Sequence, residues 1–128
     1  MLSRKRYFKG FTLIELLAVL AIIALMLTIA VPKYFGSIDR SKDTILRQDL
    51  VTMREALDKY YGDNGQYPDE LEDLTKKKYL RAIPKDPITE SDSTWVIVAP
   101  SNGAKGAVYD VKSGATGNGF DGTAYSEW

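Results

Sequence analysis

Arg4-Lys5-Arg6-Tyr7-Phe8-Lys9-Gly10 leads without a break into Phe11-Thr12-Leu13-Ile14-Glu15-Leu16-Leu17, and the apolar run that begins there continues to Val31. About 20 apolar residues suffice to cross the roughly 30 Å hydrocarbon core of a bilayer as a helix, so the stretch predicts a membrane segment. Its one charge, Glu15, stands just inside the run. A lone carboxylate there costs about 2.5–3.5 kcal/mol on insertion scales, which argues that Glu15 has a partner. The basic residues Arg4, Lys5, Arg6 and Lys9 keep the leading end cytoplasmic by the positive-inside rule and place the chain beyond residue 33 across the membrane.

An ordinary secretory signal fits less well. Its apolar centre is usually about 7–15 residues long, and a cut after Ala30 would find Thr28 where a small residue is wanted. A permanent single-pass anchor stays open from composition alone. Beyond composition, Lys9-Gly10-Phe11-Thr12-Leu13-Ile14-Glu15-Leu16 resembles the class III leader and N-terminus of type IV pilins and type II secretion pseudopilins, with all eight residues fitting the pattern. The resemblance implies that a prepilin peptidase cuts between Gly10 and Phe11, that the new Phe11 amine is N-methylated, and that the helix stays with the mature chain. It implies a cleaved leader at 1–10, a membrane and filament-core helix at 11–32, and a periplasmic globular domain at 33–128. Glu15 is implied to meet the N-terminal amine of a neighbouring subunit during filament assembly. An ammonium and a carboxylate buried together offset part of each other's desolvation.

The chain has 17 basic and 17 acidic residues, no His and no Cys. Four of the basic residues lie in the first ten, so the remainder carries 13 basic against 17 acidic groups, a net −4 that gives no reason to invoke nucleic acid. Without Cys there is no disulfide-closed C-terminal loop of the kind many adhesive type IV pilins carry, and without His or Cys, zinc and thiol chemistry are out. No nucleophile motif and no phosphate-binding Gly-rich loop is present, so the chain does not read as an enzyme.

Beyond Pro32, Ile38, Ile45, Leu46, Leu50, Met53, Leu57, Tyr60 and Tyr61 recur at helical spacing, with Asp39, Arg40, Lys42, Asp43, Arg47, Asp49, Arg54, Glu55 and Asp58 on the other faces. Gly62-Asp63-Asn64-Gly65 ends this amphipathic helix. Gly65-Gln66-Tyr67-Pro68 resembles a segment of the major pseudopilins and is followed by a short helix with Asp69 as N-cap, closed by Lys76-Lys77-Lys78. Pro84-Lys85-Asp86-Pro87 matches the same family and reads as an extended connection. Thr94–Ala99 and Ala107–Val111 read as a hairpin around Ser101–Gly106, with a short third strand near Ala124–Trp128. Trp95, Tyr109, Tyr125 and Trp128 read as core. The whole is α+β, a type IV pilin-like fold with a long N-terminal helix packed on a small antiparallel sheet.

The stretch from Ser113 to Gly122 holds four glycines and needs something other than side-chain packing to order it. The resemblance implies a calcium site, with Asp110, Ser113 and Asp121 as the candidate donors, since calcium accepts carboxylates and backbone carbonyls. Thr116 stands where the family usually has Asp, which weakens that site. The other reading is a metal-free turn begun by Asp121-Gly122 and pinned by Tyr125 and Trp128.

The resemblance therefore implies a major-pseudopilin-like subunit of a type II secretion system. Its partners would be a prepilin peptidase, further copies of itself, minor pseudopilins and an inner-membrane assembly platform with its ATPase. It would reside in the inner membrane and then in a periplasmic filament. Two alternatives are a surface type IV pilin, serving adhesion, motility, DNA uptake or electron transfer, and a membrane-anchored periplasmic binding module in which Glu15 is incidental.

Overall fold

The computed structural model describes residues 10–128; the basic residues Arg4, Lys5, Arg6 and Lys9 lie outside them. The elements are α1 (Leu13–Asn64), α2 (Asp73–Lys76), β1 (Val96–Val98), β2 (Asp110–Lys112) and a closing 3-10 turn, Tyr125–Glu127. The chain divides into a unit ending at Ser37 and a second unit, Ile38–Trp128. One helix, α1, runs through both. Pro32 sits inside it without ending it, because the missing N–H removes only one rung of the backbone ladder. The helix ends where Gly65 takes a φ of +69° and donates its N–H to Tyr61 O at 2.8 Å, the left-handed turn that Gly allows at no steric cost.

In the first unit every large apolar side chain from Phe11 to Val31 is exposed. The second unit builds a core. Leu46, Leu50, Met53, Leu57 and Tyr60 of α1 are buried together with Leu71, Leu74, Trp95, Val108, Val111, Ala115 and Tyr125. Their spacing of three and four residues on α1 lines up one helix face, as the periodicity predicts. Ile45 and Tyr61, expected in that stripe, are instead 50% and 42% exposed, one position off its centre.

β1 and β2 pair antiparallel in the register Val96↔Lys112, Ile97↔Val111, Val98↔Asp110. The hairpin is present but its strands are shorter than the β-branched runs suggest. Ala107 and Val108 donate their N–H groups to Pro68 O at 3.0 and 2.9 Å, so the start of the second run is tied to the Gly65–Pro68 segment and not to β1. Tyr67 N–H completes this docking by donating to Lys105 O at 2.9 Å. Gly106 is required there, since a Cβ would fall 2.1 Å from Tyr67 O.

Three further expectations are corrected. The short helix begins at Asp73, after Glu72, and Asp69 does not cap it; Asp73 Oδ2 accepts the Glu70 N–H at 3.1 Å from inside the first turn. Among the described residues no third strand forms: Ala124 makes one isolated bridge to Asn118, and Glu127 and Trp128 turn back on Ala124 O and Tyr125 O. Tyr109 is not core but 49% exposed, edge-on to Tyr67 with 5.3 Å between ring centroids.

Pro84–Pro87 is not the plain extended connection expected but the entry to a tight turn organised by a buried acid. Asp86, wholly buried, accepts the N–H groups of Ile88 and Thr89 at 2.8 and 3.3 Å and the hydroxyl of Ser113. Trp95 pins the same turn by donating its indole N–H to Pro84 O at 2.8 Å.

Candidate functional site

Gly10, Phe11 and Thr12 precede the first turn of α1, and Phe11 is 88% exposed. Thr12 N-caps the helix. Its Oγ1 accepts the Glu15 N–H at 3.2 Å, and Glu15 Oε2 accepts the Thr12 N–H at 3.3 Å. This reciprocal pair is a capping box, in which Thr and Glu three residues apart satisfy two backbone donors that a helix start leaves open. The Thr12-x-x-Glu15 spacing announces it, and reading Glu15 only as an intramembrane charge passes over it. The Glu15 carboxylate also lies at the positive end of the helix dipole, where an anion is favoured. Among the described residues, one helix is long and apolar enough to cross a membrane by length and composition, and it is the one this box begins.

At the other end of the sequence, three polar side chains of α1 reach the C-terminal loop. Asp43, assigned by periodicity to a solvent face, is buried; its carboxylate accepts the Phe120 N–H at 2.8 Å and the Tyr125 hydroxyl at 2.7 Å. Burial, and then this bond and the charge of Asp43, push the Tyr125 phenol up to about 12. Arg47 donates to Asp121 Oδ2 at 2.5 Å and lies 3.9 Å over the Trp128 ring. Arg54 donates to Asp110 Oδ1 at 2.8 Å, to Val111 O at 3.1 Å and to Trp128 O at 2.8 Å.

The donors expected for calcium are thus each held by a different partner. Asp110 faces Arg54, the Ser113 hydroxyl is buried against Asp86, and Asp121 faces Arg47 while also accepting the Thr123 N–H and hydroxyl at 3.0 and 2.6 Å. The Thr123 hydroxyl, its N–H and then Arg47 hold the Asp121 carboxyl below the usual carboxylate range. Among the described residues no group of three or more acidic, His or Cys side chains is placed to hold a metal ion. As arranged, Asp110, Ser113 and Asp121 do not make a calcium donor set, because two of the three face a guanidinium and the third faces inward.

Comparison with known proteins bears on the N-terminal site. The family model described as the prokaryotic N-terminal methylation motif matches residues 5–31. The chain is 33% identical over 100 residues to the type II secretion system core protein G of Pseudomonas aeruginosa, covering 66% of this chain and 70% of that protein. It is 31% identical over 121 residues to the protein of the same name from Escherichia coli K12, covering 82% and 79%. No solved structure matches.

Proposed function

The chain belongs to the type II secretion system core protein G family, and from that premise we propose that it is the major-pseudopilin-type structural subunit of such a system, performing no chemistry of its own. The observation that carries this reading is the contrast in burial along α1. From Leu13 to Val31 its large apolar side chains are all exposed, whereas Leu46, Leu50, Met53 and Leu57 are buried to within 1%. An apolar surface that is continuous round a helix has to be covered, by lipid before assembly and by other copies afterwards.

The subunit waits in the inner membrane with its leading end cytoplasmic and the Ile38–Trp128 unit in the periplasm. Prepilin peptidase cuts between Gly10 and Phe11, and Phe11 is methylated. An ATPase-driven assembly platform then extracts the subunit into a periplasmic filament, joined by minor pseudopilins, that drives proteins across the outer membrane. Glu15 supplies recruitment and register. In the free subunit its carboxylate is occupied by its own Thr12 N–H, and a neighbour's N-terminal ammonium is a stronger, charge-assisted donor that replaces it on docking.

Two substitutions of Glu15 test this. Glu15→Gln keeps a side chain able to reach back to Thr12 and removes the charge, while Glu15→Leu removes both. We expect both variants to reach the membrane and to be cut, and both to lower cross-linked multimers and exported protein about tenfold or more, the effect of losing roughly 1.4 kcal/mol per contact. Normal assembly by Glu15→Gln would show that capping, not charge, is what Glu15 provides, and would sink the inter-subunit role.

A further inference from the structure

We infer that the loop from Ser113 to Thr123 is ordered by the protein's own charges, with the Arg47 guanidinium supplying the positive charge that a divalent cation would bring and the Asp43 carboxylate holding the main chain, so that this chain folds without calcium. The inference does not depend on the filament reading, since it concerns only the Ile38–Trp128 unit.

A loop that binds calcium turns oxygens inward, toward a positive centre. The main chain here does the opposite where it meets Asp43 of α1: Phe120 points its N–H at that buried carboxylate, 77 residues away in sequence. An anion at that place attracts N–H groups and repels carbonyls. Three carbonyls of the loop are turned to internal use. Gly117 O accepts from Tyr125, Gly119 O from Gly122, and Thr123 O from Gly119, at 3.2, 3.0 and 2.9 Å. The positive charge that the acids require is supplied from the helix: Arg47 to Asp121 and Arg54 to Asp110. A dication brought among these groups would have to displace a guanidinium and would be repelled by whichever remained.

Packing completes the clamp. The Trp128 ring lies so close over Gly119 that a Cβ there would fall 2.2 Å from the indole, and Arg47 lies over the same ring at 3.9 Å. The loop is held between an arginine-backed indole and a buried carboxylate. Thr116, the residue that departs from the family's acid, is exposed and appears in none of these contacts, which is consistent with a loop that has no cation to ligate.

The test is thermal unfolding of the full processed chain in detergent micelles, in millimolar calcium and in excess chelator, beside the Arg47→Met variant under the same two conditions. We expect one midpoint for the unsubstituted chain in both media, and a midpoint about 4 °C lower in both media for Arg47→Met, with faster proteolysis between Ser113 and Thr123. A midpoint of the unsubstituted chain that rises with calcium overturns the inference. So does an Arg47→Met variant whose midpoint and protease resistance are unchanged. Terbium luminescence sensitised by Tyr125 or Trp128 would contradict it independently of folding.

Discussion

Leu20 and Leu50 are the same residue type on the same helix, yet Leu20 keeps 53% of its surface exposed and Leu50 keeps 1%. The difference comes from what surrounds each in sequence. Around Leu50 the apolar residues fall on one stripe, and that stripe can be covered by the hairpin and the loops of the same chain. Around Leu20 the helix is apolar on every side, and no small domain can wrap all of it. A uniformly apolar half-helix thus encodes a partner outside the chain, while a striped one encodes a core within it.

Substitutions in the two halves should therefore separate cleanly. Leu50→Ala or Leu57→Ala should cost about 2–5 kcal/mol of unfolding free energy, the range for emptying a fully buried leucine site. Leu20→Ala should change it by less than about 0.5 kcal/mol and show instead in membrane retention or multimer yield. Equal losses in unfolding free energy for Leu20→Ala and Leu50→Ala would break the comparison.

Next in size is Asp43→Ala, which strands the Tyr125 hydroxyl and the Phe120 N–H and should cost about 1–3 kcal/mol in the same assay. Asp43→Asn, which keeps an acceptor, should cost less, and reversal of that order would show that Asp43 acts by volume alone.

How much of this is legible in the sequence depends on how far apart the interacting residues lie. The apolar run, the Gly65 stop and the stripe of Leu46, Leu50, Met53 and Leu57 depend on neighbours within a turn or two, and periodicity reports them. Asp43 looks like any acid in a run of charges, because its two partners arrive 77 and 82 residues later. The same holds for Asp86, whose Ser113 partner is 27 residues away, although Asp before Pro with open N–H groups two and three residues on is a local turn signal. The β-branched pattern overruns the strand ends because Pro68, not β1, takes the N–H groups of Ala107 and Val108.

The pH dependence should have two edges, both outside the apolar half of α1. Tyr125, raised to about 12 from an ordinary 10.0, favours its neutral form in the fold. Its contribution is present below pH 10 and is lost as pH rises from there to about 12. Asp121, whose carboxyl is lowered from 3.8, favours its charged form in the fold; its contribution is present above that value and is lost as pH falls below it. Unfolding midpoints followed against pH should fall at both edges, and Tyr125→Phe should reduce the alkaline one, the remainder coming from Tyr67 and Tyr79, which are also raised.

The smallest effect belongs to Asp49, whose carboxyl is raised by burial and then by the nearby Asp86 charge. Its charged form opposes folding, so stability is greatest below the unfolded pKa and declines as pH rises through the folded one. Asp49→Asn should stabilise the fold near neutral pH by no more than about a few tenths of a kcal/mol, since the half-buried site is partly screened by solvent. A loss of stability in chemical denaturation would show that its charge is compensated.

Whether the exposed half of α1 belongs to a processed, assembling subunit is decided most directly by the intact mass and N-terminal sequence of the chain taken from the membranes of its native host. A processed subunit begins at N-methylated Phe11, and that is the expected result. A chain that begins at Met1, as a permanent anchor would, or at Val31, as a cleaved secretory signal would leave it, would contradict it.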